Sequence, residues 1–167
     1  VNINAPDTAG RPPLIRAIRS GDLTLVRECL DRGADVNCRD KAGIPPILYA
    51  SESGSENIVK MLLERGVRID ETDSRKGQTA LHRAAFRNKT LMTRVLLENQ
   101  ADIEARDRQG LTPLMRAVQQ NNGLVVQILL DYKANPNTRA TSGSQWPPLH
   151  FAIQRDSSEM IRLLLSA

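Results

Sequence analysis

The stretch "KGQTALHRAAFRNK", Lys76 to Lys89, has a close copy of itself in "QGLTPLMRAVQQNN", Gln109 to Asn122, which begins 33 residues further along the chain. Both stretches run from a glycine through a threonine and a leucine to an arginine followed by an alanine. A near-copy at such a distance indicates that the chain repeats one structural unit.

The alanine of this motif recurs along the whole chain. Its copies are separated by 33, 34, 33 and 35 residues, and they are Ala17, Ala50, Ala84, Ala117 and Ala152. The frames around them read "PPLIRAI", "PPILYAS", "TALHRAA", "TPLMRAV" and "PPLHFAI", and each frame is followed by an apolar block such as "LVRECL" or "VVQILL". The chain therefore contains five copies of one structural unit.

The start of each unit predicts a short helix. A leucine, or an isoleucine in the second unit, stands three residues before the frame alanine, which places the two residues on one helix face. Thr79 and Thr112 are typical N-cap residues, and Pro113 suits the first helical position. The other three units have Pro-Pro instead, which gives up a capping hydroxyl worth about 1 kcal/mol but fixes the backbone.

The rest of the unit predicts a second helix after a sharp turn. Gly21, Gly54, Asn88 and Asn121 follow the first helix, and glycine or asparagine suits the left-handed turn that ends a helix. The apolar block then predicts an amphipathic second helix, which glycine ends in the first two units.

The period and the T-P-L-H-x-A frame resemble the ankyrin repeat, and the resemblance covers essentially the whole chain. It implies an all-α solenoid in which antiparallel helix pairs are stacked and joined by β-hairpin fingers. The single domain, 1–167, divides into the end of a preceding repeat and five repeats with the last one truncated: 1–6, 7–39, 40–72, 73–106, 107–139 and 140–167. Neither end has the polar cap that solenoids need, so we expect a segment of a longer array in a multidomain protein.

Composition restricts the class of protein. Hydrophobic residues make up 40% and charged residues 25%, as in globular domains. The apolar stretches are too short to cross a bilayer, and the N-terminus does not read as a signal peptide. Cys29 and Cys38 have no metal-ligand spacing, which favours reduced thiols. We therefore expect an intracellular monomer, cytoplasmic or nuclear, without membrane contact.

The sequence gives no support for catalysis. It has no glycine-rich phosphate loop, nucleophile elbow or Cys/His cluster, so we expect no enzyme, cofactor or metal. The resemblance implies that His82 and His150, both at the frame's histidine position, brace neighbouring repeats through finger backbone.

A row of carboxylates opens the first four repeats, and its members are Asp7, Asp40, Asp73 and Asp107. A regular row of this kind could form a cation path. We favour the alternative in which each aspartate hydrogen-bonds the backbone of its own turn.

The resemblance places the variable positions on the finger tips and at the ends of the first helices, where they line a concave face. This set has 11 of the 23 lysines and arginines but only one of the 19 acidic residues, Glu52, which gives +10. Including the four turn-opening aspartates lowers it to +6. The candidate partner-binding residues are Arg11, Arg19, Arg39, Lys41, Arg75, Lys76, Phe86, Arg87, Arg106, Arg108, Gln119, Gln120, Arg139, Trp146 and Arg155.

Two candidate aromatics have open interpretations. Phe86 occupies a helix-end position that is usually polar, and it either contacts a partner or folds back onto its own helix. Trp146 lies in the fifth finger, which has two extra residues, and it either contacts a partner or shields that long loop. The third finger has one extra residue.

Three functions fit this pattern. The leading hypothesis is a protein-interaction module that binds an acidic peptide or protein surface, because a basic face steers acidic partners. Its centre would comprise Arg75, Lys76, Phe86, Arg87, Arg106 and Arg108. A basic groove with aromatics could instead bind nucleic acid or a nucleotide anion, although no phosphate-cradling loop is present. The third possibility is a passive spacer whose basic face has no partner.

Overall fold

A computed structural model describes residues 2–143 and 145–167, and within these ranges the chain forms ten α-helices and no β-strand. The helices come in five pairs: α1 Pro13–Ser20 with α2 Leu23–Asp31, α3 Pro46–Ser53 with α4 Glu56–Glu64, α5 Ala80–Phe86 with α6 Thr90–Glu98, α7 Pro113–Gln119 with α8 Gly123–Asp131, and α9 Pro148–Gln154 with α10 Ser158–Leu165. The all-helical repeat architecture expected from the sequence is confirmed.

The first helices begin as the sequence predicts. Thr79 and Thr112 accept hydrogen bonds from the backbone N–H groups of His82 and Met115, three residues into each helix. In the other three pairs a proline occupies the cap without a side-chain hydrogen bond, and a second proline occupies the first helical position. The chain thus exchanges a hydroxyl cap for a backbone that is already restricted.

The first helices also end at the predicted residues. Gly21 and Gly54 have φ angles of 72° and 77°, and Asn88 and Asn121 have 56° and 59°. This left-handed conformation reverses the chain so that the second helix packs against the first. Asparagine is the residue besides glycine that adopts it most readily.

The helices form two rows. The first helices, α1, α3, α5, α7 and α9, pack against one another in sequence order, and each second helix packs behind its own first helix. All five frame alanines are at most 1% exposed, which fits the close approach of successive helices. A continuous core of leucine, isoleucine, valine and alanine runs the length of the stack.

The loops before the first helices are termed fingers one to five, and they comprise residues 7–11, 40–44, 73–78, 107–111 and 140–146. Finger one is closed by hydrogen bonds from Asp7 N to Arg11 O, 3.1 Å, and from Gly10 N to Asp7 O, 2.8 Å. Lys41 N then donates to Gly10 O at 3.0 Å, which links finger two to finger one. In the described residues the fingers are hydrogen-bonded turns without strands, so the expected β-hairpins are not confirmed.

A second series of hydrogen bonds joins the repeats on the other side of the helices. In each case a side-chain oxygen accepts a backbone N–H from the following repeat, at 2.8–3.0 Å, and the acceptors are Asn4, Asn37, Asp70 and Glu104. This series joins the N-terminal segment and the first four repeats, whereas the fifth repeat is joined to the fourth at the fingers, where Thr141 N donates to Gly110 O. No helix among the described residues is long and apolar enough to cross a membrane.

Candidate binding groove

The aspartate at the start of each of the first four fingers organises that finger. Asp7 Oδ1 accepts from Ala9 N and Arg11 N, both at 2.9 Å. Asp40, Asp73 and Asp107 accept from their own turns in the same way. The interpretation of these residues as turn acceptors is confirmed. Across 2–143 and 145–167, no three His, Cys, Asp or Glu residues come together as a metal site would require.

The residue before the frame alanine binds the second oxygen of the same aspartate, a pairing that sequence reasoning missed. Tyr49 Oη donates to Asp40 Oδ2 at 2.6 Å, and Arg116 Nε donates to Asp107 Oδ2 at 2.8 Å. Burial raises the pKa of Tyr49 to about 12, and its hydrogen bond to Asp40 acts in the same direction. Arg16 and Arg83 occupy the corresponding position opposite the first and third aspartates.

The fifth repeat replaces this polar pair with an apolar one. Ala140 stands where the aspartate would be, and Phe151 stands where the arginine would be. Phe151 packs against Ala140, Leu111 and Met115. The joint change of both positions is the signal from which the pairing could have been found in the sequence.

His82 braces the stack as the resemblance implies. Its side chain is fully buried, Nε2 lies 2.9 Å from Leu111 O in finger four, and Thr79 N donates to Nδ1 at 3.2 Å. Burial is the main cause that lowers the pKa of His82, although the Leu111 carbonyl and Asp107 partly oppose it. His82 is therefore a structural residue.

His150 has a different environment. Its ring is exposed and stacks on Trp146 with 5.9 Å between the ring centroids. Among the described residues, the bracing role is thus found at His82 and not at His150.

A pocket of about 250 Å³ lies between the second and third repeats, where it is lined by fingers and first helices. We term it the cationic pocket, and it is lined by Ile44, Glu52, Asp73, Arg75, Lys76, Gln78, Arg83, Phe86 and Arg87. Four residues of the predicted centre, Arg75, Lys76, Phe86 and Arg87, line it together. Arg106 and Arg108, the other two, lie outside its lining.

The extra residue of finger three shapes this pocket. In finger one, Gly10 N donates to Asp7 O, three residues earlier. In finger three, Gly77 N donates to Asp73 O, four residues earlier, at 3.1 Å, so this turn is one residue longer. The wider turn presents the adjacent Arg75 and Lys76, whose backbone N–H groups both donate to Asp73 Oδ1. Burial alone would raise the pKa of Asp73, but these hydrogen bonds and the Arg83 guanidinium lower it.

The charges of the pocket are only partly paired. Glu52 Oε1 lies 2.6 Å from Arg83 Nη1 and 3.3 Å from Arg87 Nη2, so it is shared by two cations. In the described part of the chain, no carboxylate lies within ion-pairing distance of Arg75 or Lys76. Two unneutralised cations therefore stand beside Phe86, which is 42% exposed.

Phe86 is held in place through its backbone. Asn122 Nδ2, from the following repeat, donates to Ala85 O at 2.7 Å and to Phe86 O at 3.1 Å. These carbonyls at the end of α5 would otherwise lack intrahelical partners. The half-exposed ring is therefore presented from a fixed helix end.

Two predicted partner-binding arginines also bridge fingers. Arg39 Nη1 donates to Gly43 O at 2.8 Å and to Thr72 O at 2.7 Å, and its other terminal nitrogen pairs with Glu71. Arg106 Nη1 donates in the same manner to Gly110 O at 3.0 Å and to Arg139 O, just before finger five, at 2.7 Å. Both guanidinium groups are thus part of the scaffold.

Several other candidates interact with neighbours inside the groove. Arg11 forms an ion pair with Asp7 at 3.1 Å, and Arg19 lies over the ring of Tyr49 at 5.5 Å. Arg108 Nη1 donates to Arg75 O at 3.3 Å, which joins fingers three and four. Gln119 is half-buried and accepts from Arg116 at 3.4 Å. The candidates Lys41, Gln120, Arg139 and Arg155 are exposed.

A second pocket of about 250 Å³ lies between the fourth and fifth repeats. We term it the aromatic pocket, and it is lined by Gln109, Leu111, Gln119, Ala140, Ser142, Gly143, Gln145, Trp146 and Phe151. Trp146 is half-buried, and its ring meets that of Phe151 edge to face at a centroid distance of 6.0 Å. Trp146 thus lines the aromatic pocket and packs against the rings of Phe151 and His150.

Stacked helix pairs with a groove formed by fingers and first helices define the class of helical repeat scaffolds. A family model described as "Ankyrin repeats (3 copies)" matches residues 1–73, 67–140 and 109–167. The chain therefore belongs to the ankyrin-repeat family, which generally consists of non-enzymatic protein–protein interaction modules. A search of curated proteins found no match.

Proposed function

We propose that this ankyrin-repeat segment is a protein-interaction module that binds an acidic peptide or acidic protein surface along its concave face. The observation that carries the proposal is the cationic pocket, where Arg75 and Lys76 lack carboxylate partners among the described residues and stand beside a half-exposed Phe86. Arginine and aromatic residues are over-represented among the residues that contribute most to binding free energy.

A protein partner fits this pocket better than a nucleic acid. A groove for single-stranded nucleic acid stacks successive bases on aromatic rings along a continuous basic track. In this groove Phe86 lies in the third repeat and Trp146 in the fifth, and Arg39 and Arg106 use guanidinium donors on backbone carbonyls. Phosphates spaced at regular intervals would therefore meet an interrupted series of free cations.

The proposal is tested by direct binding of two labelled anions of equal net charge, a pool of acidic peptides and an oligothymidylate. We expect the peptide pool to bind, and its affinity to fall steeply with added salt because the contacts are ionic. We expect the double variant Arg75→Glu/Lys76→Glu to lose this binding.

A matched control carries the same charge change on the second helices. Arg27→Glu/Arg94→Glu replaces two exposed arginines of α2 and α6, and we expect it to bind as the wild type does. If both double variants lose the same affinity for the peptides, the binding depends only on net charge, and the proposed site is overturned. Tighter binding of the oligothymidylate than of the peptides, at equal charge and salt, would assign the groove to nucleic acid.

We further propose that the segment works as a monomer inside the cell, as part of a larger protein. Cys29 and Cys38 are free thiols, which suits a reducing compartment, and burial raises the pKa of Cys38 to about 12. Sedimentation at several protein concentrations tests the monomeric state, and a mass that rises with concentration would contradict it.

A further inference from the structure

We propose that the partner's binding segment is an extended bipartite peptide. An acidic residue occupies the cationic pocket, and an apolar side chain five or six residues away occupies the aromatic pocket. This inference rests on the proposed function and adds to it the class of peptide and the spacing of its two anchors.

The aromatic pocket has the chemistry of an apolar anchor site. None of the described residues that line it has a charged side chain, whereas Leu111, Ala140, Trp146 and Phe151 contribute apolar surface. A cavity of about 150 Å³ already accommodates benzene, so the larger aromatic pocket has room for one leucine or phenylalanine side chain.

The fifth repeat has this pocket because of its particular residues. In the fourth repeat the equivalent positions hold Asp107 and Arg116, whose charges are joined across the finger. Replacing that pair by Ala140 and Phe151 removes both charges and leaves an apolar surface next to finger five. The apolar exchange and the lengthened finger with Trp146 occur together in this one repeat.

The spacing of the anchors follows from the stacking of the repeats. The cationic pocket lies between the second and third repeats, and the aromatic pocket lies between the fourth and fifth. Packed helices are about 8–10 Å apart, so two repeat steps separate the pockets by roughly 16–20 Å. An extended chain advances about 3.3 Å per residue, which gives five or six residues.

The surface between the two pockets suits the middle of such a peptide. Arg108 and Gln120, both in the fourth repeat, are exposed there. Basic and amide side chains can bind a polar, extended backbone without requiring a particular sequence. We therefore expect the specificity to reside in the two anchors and their separation.

The test uses synthetic peptides in which a block of three glutamates and one leucine are joined by proline-rich spacers, which are semi-rigid and advance about 3.1 Å per residue. The leucine lies two, five, six or twelve residues from the nearest glutamate, and each spacing is made in both chain directions. A reference peptide has alanine in place of leucine. Because Trp146 is the only tryptophan of the chain, its emission reports the aromatic pocket, while anisotropy of labelled peptides reports total binding.

We expect the peptides with spacings of five and six to bind about tenfold more tightly than the reference, since linking two anchors raises the effective concentration of the second. Only these peptides should shift the Trp146 emission strongly. A two-residue spacing is too short, because each residue spans at most about 3.6 Å, and a semi-rigid twelve-residue spacer of roughly 37 Å is too long.

Two further outcomes separate the inference from the proposed function. If acidic peptides bind equally at every spacing and the Trp146 emission does not change, the bipartite inference is overturned and the proposed function stands. If no peptide binds even at low salt, both are overturned.

A double variant can close the aromatic pocket with the residues that occupy the equivalent positions in the fourth repeat. Ala140→Asp/Phe151→Arg installs the aspartate–arginine pair of the fourth repeat, and we expect it to reduce the affinity of the leucine peptides to that of the reference peptide. Should this variant fold poorly, the Trp146 emission of the wild type with the full spacing series decides the question alone. A gain that survives in a well-folded variant would place the apolar anchor elsewhere.

Discussion

Replacing Asp107 by alanine should destabilise the stack strongly. The Asp107 side chain is fully buried, accepts two backbone N–H groups of finger four and pairs with Arg116, whose own side chain is only 11% exposed. The variant leaves this guanidinium nearly buried without its counter-ion. Breaking a buried ion pair in this way costs about 3–5 kcal/mol, which corresponds to a fall in Tm of about 6–20 °C for a domain of this size.

The fifth repeat supplies the compensating change. In Asp107→Ala/Arg116→Phe the fourth repeat has the residues found at Ala140 and Phe151, so no charge is left buried. We expect about 1–3 kcal/mol of the loss to be recovered, with a remaining deficit of about 2 kcal/mol from the two backbone hydrogen bonds to the aspartate. Urea denaturation followed by circular dichroism measures the free energy of unfolding of each variant.

Asp7→Ala is the matched control. Asp7 accepts the same two turn bonds, but its partners Arg11 and Arg16 are 36% and 60% exposed. Water can solvate these arginines after the change, so the loss should be much smaller. The reasoning is refuted if Asp107→Ala costs no more than Asp7→Ala, or if the double variant is no more stable than Asp107→Ala alone.

Two further predictions concern the scaffold. The lowered pKa of His82 means that the unfolded chain binds a proton more readily, so its contribution to stability is complete above the unfolded pKa of about 6.5 and is lost as the pH falls below it. Urea denaturation at about pH 8 and about pH 5 measures the free energy of unfolding. We expect this free energy to fall more for the wild type than for His82→Met when the pH is lowered, and equal falls would contradict the prediction. Gly110 has φ 70°, and an added Cβ there would lie 2.0 Å from Thr141 Oγ1, whereas at Gly66, with φ 78°, an added Cβ would have no neighbouring side chain or backbone atom of the described residues within 4 Å. Gly110→Ala should therefore lower the Tm clearly more than Gly66→Ala, which has only the backbone strain of about 1–2 kcal/mol. Equal decreases in Tm would mean that finger five can move away from the added methyl group without a loss of stability.

The periodic residues were sufficient to predict the scaffold. The frame alanines, the threonine caps and the left-handed turns at Gly21 and Asn88 act within one repeat or against an identical neighbour. Helix propensity, capping and the spacing of apolar residues are local properties. Because the repeats have similar sequences, a structure predicted correctly for one repeat applies to the others as well. The aspartate turns were predictable for the same reason, since each involves only a few consecutive residues.

Which cations are free in the groove was not predictable from local pattern. The sequence shows Arg39, Arg75 and Arg106 only as three arginines at candidate positions. In the structure Arg39 and Arg106 each donate to a carbonyl of one finger and to the carbonyl just before the next finger, whereas Arg75 has no carboxylate partner among the described residues. Their partners lie in neighbouring repeats, and the one-residue extension of finger three changes the geometry of the turn.

The sequence by itself thus determined the helical repeat architecture, the caps and turns of the first helices, and the excess of basic residues at the candidate positions. Only the tertiary structure decided which of those charges are neutralised, where Phe86 and Trp146 lie, and that the groove contains two pockets of different chemistry. The physical reason is that hydrogen bonds between fingers, and the desolvation of each charge, depend on distances between residues about one repeat apart. A linear pattern does not contain those distances until the repeats are stacked.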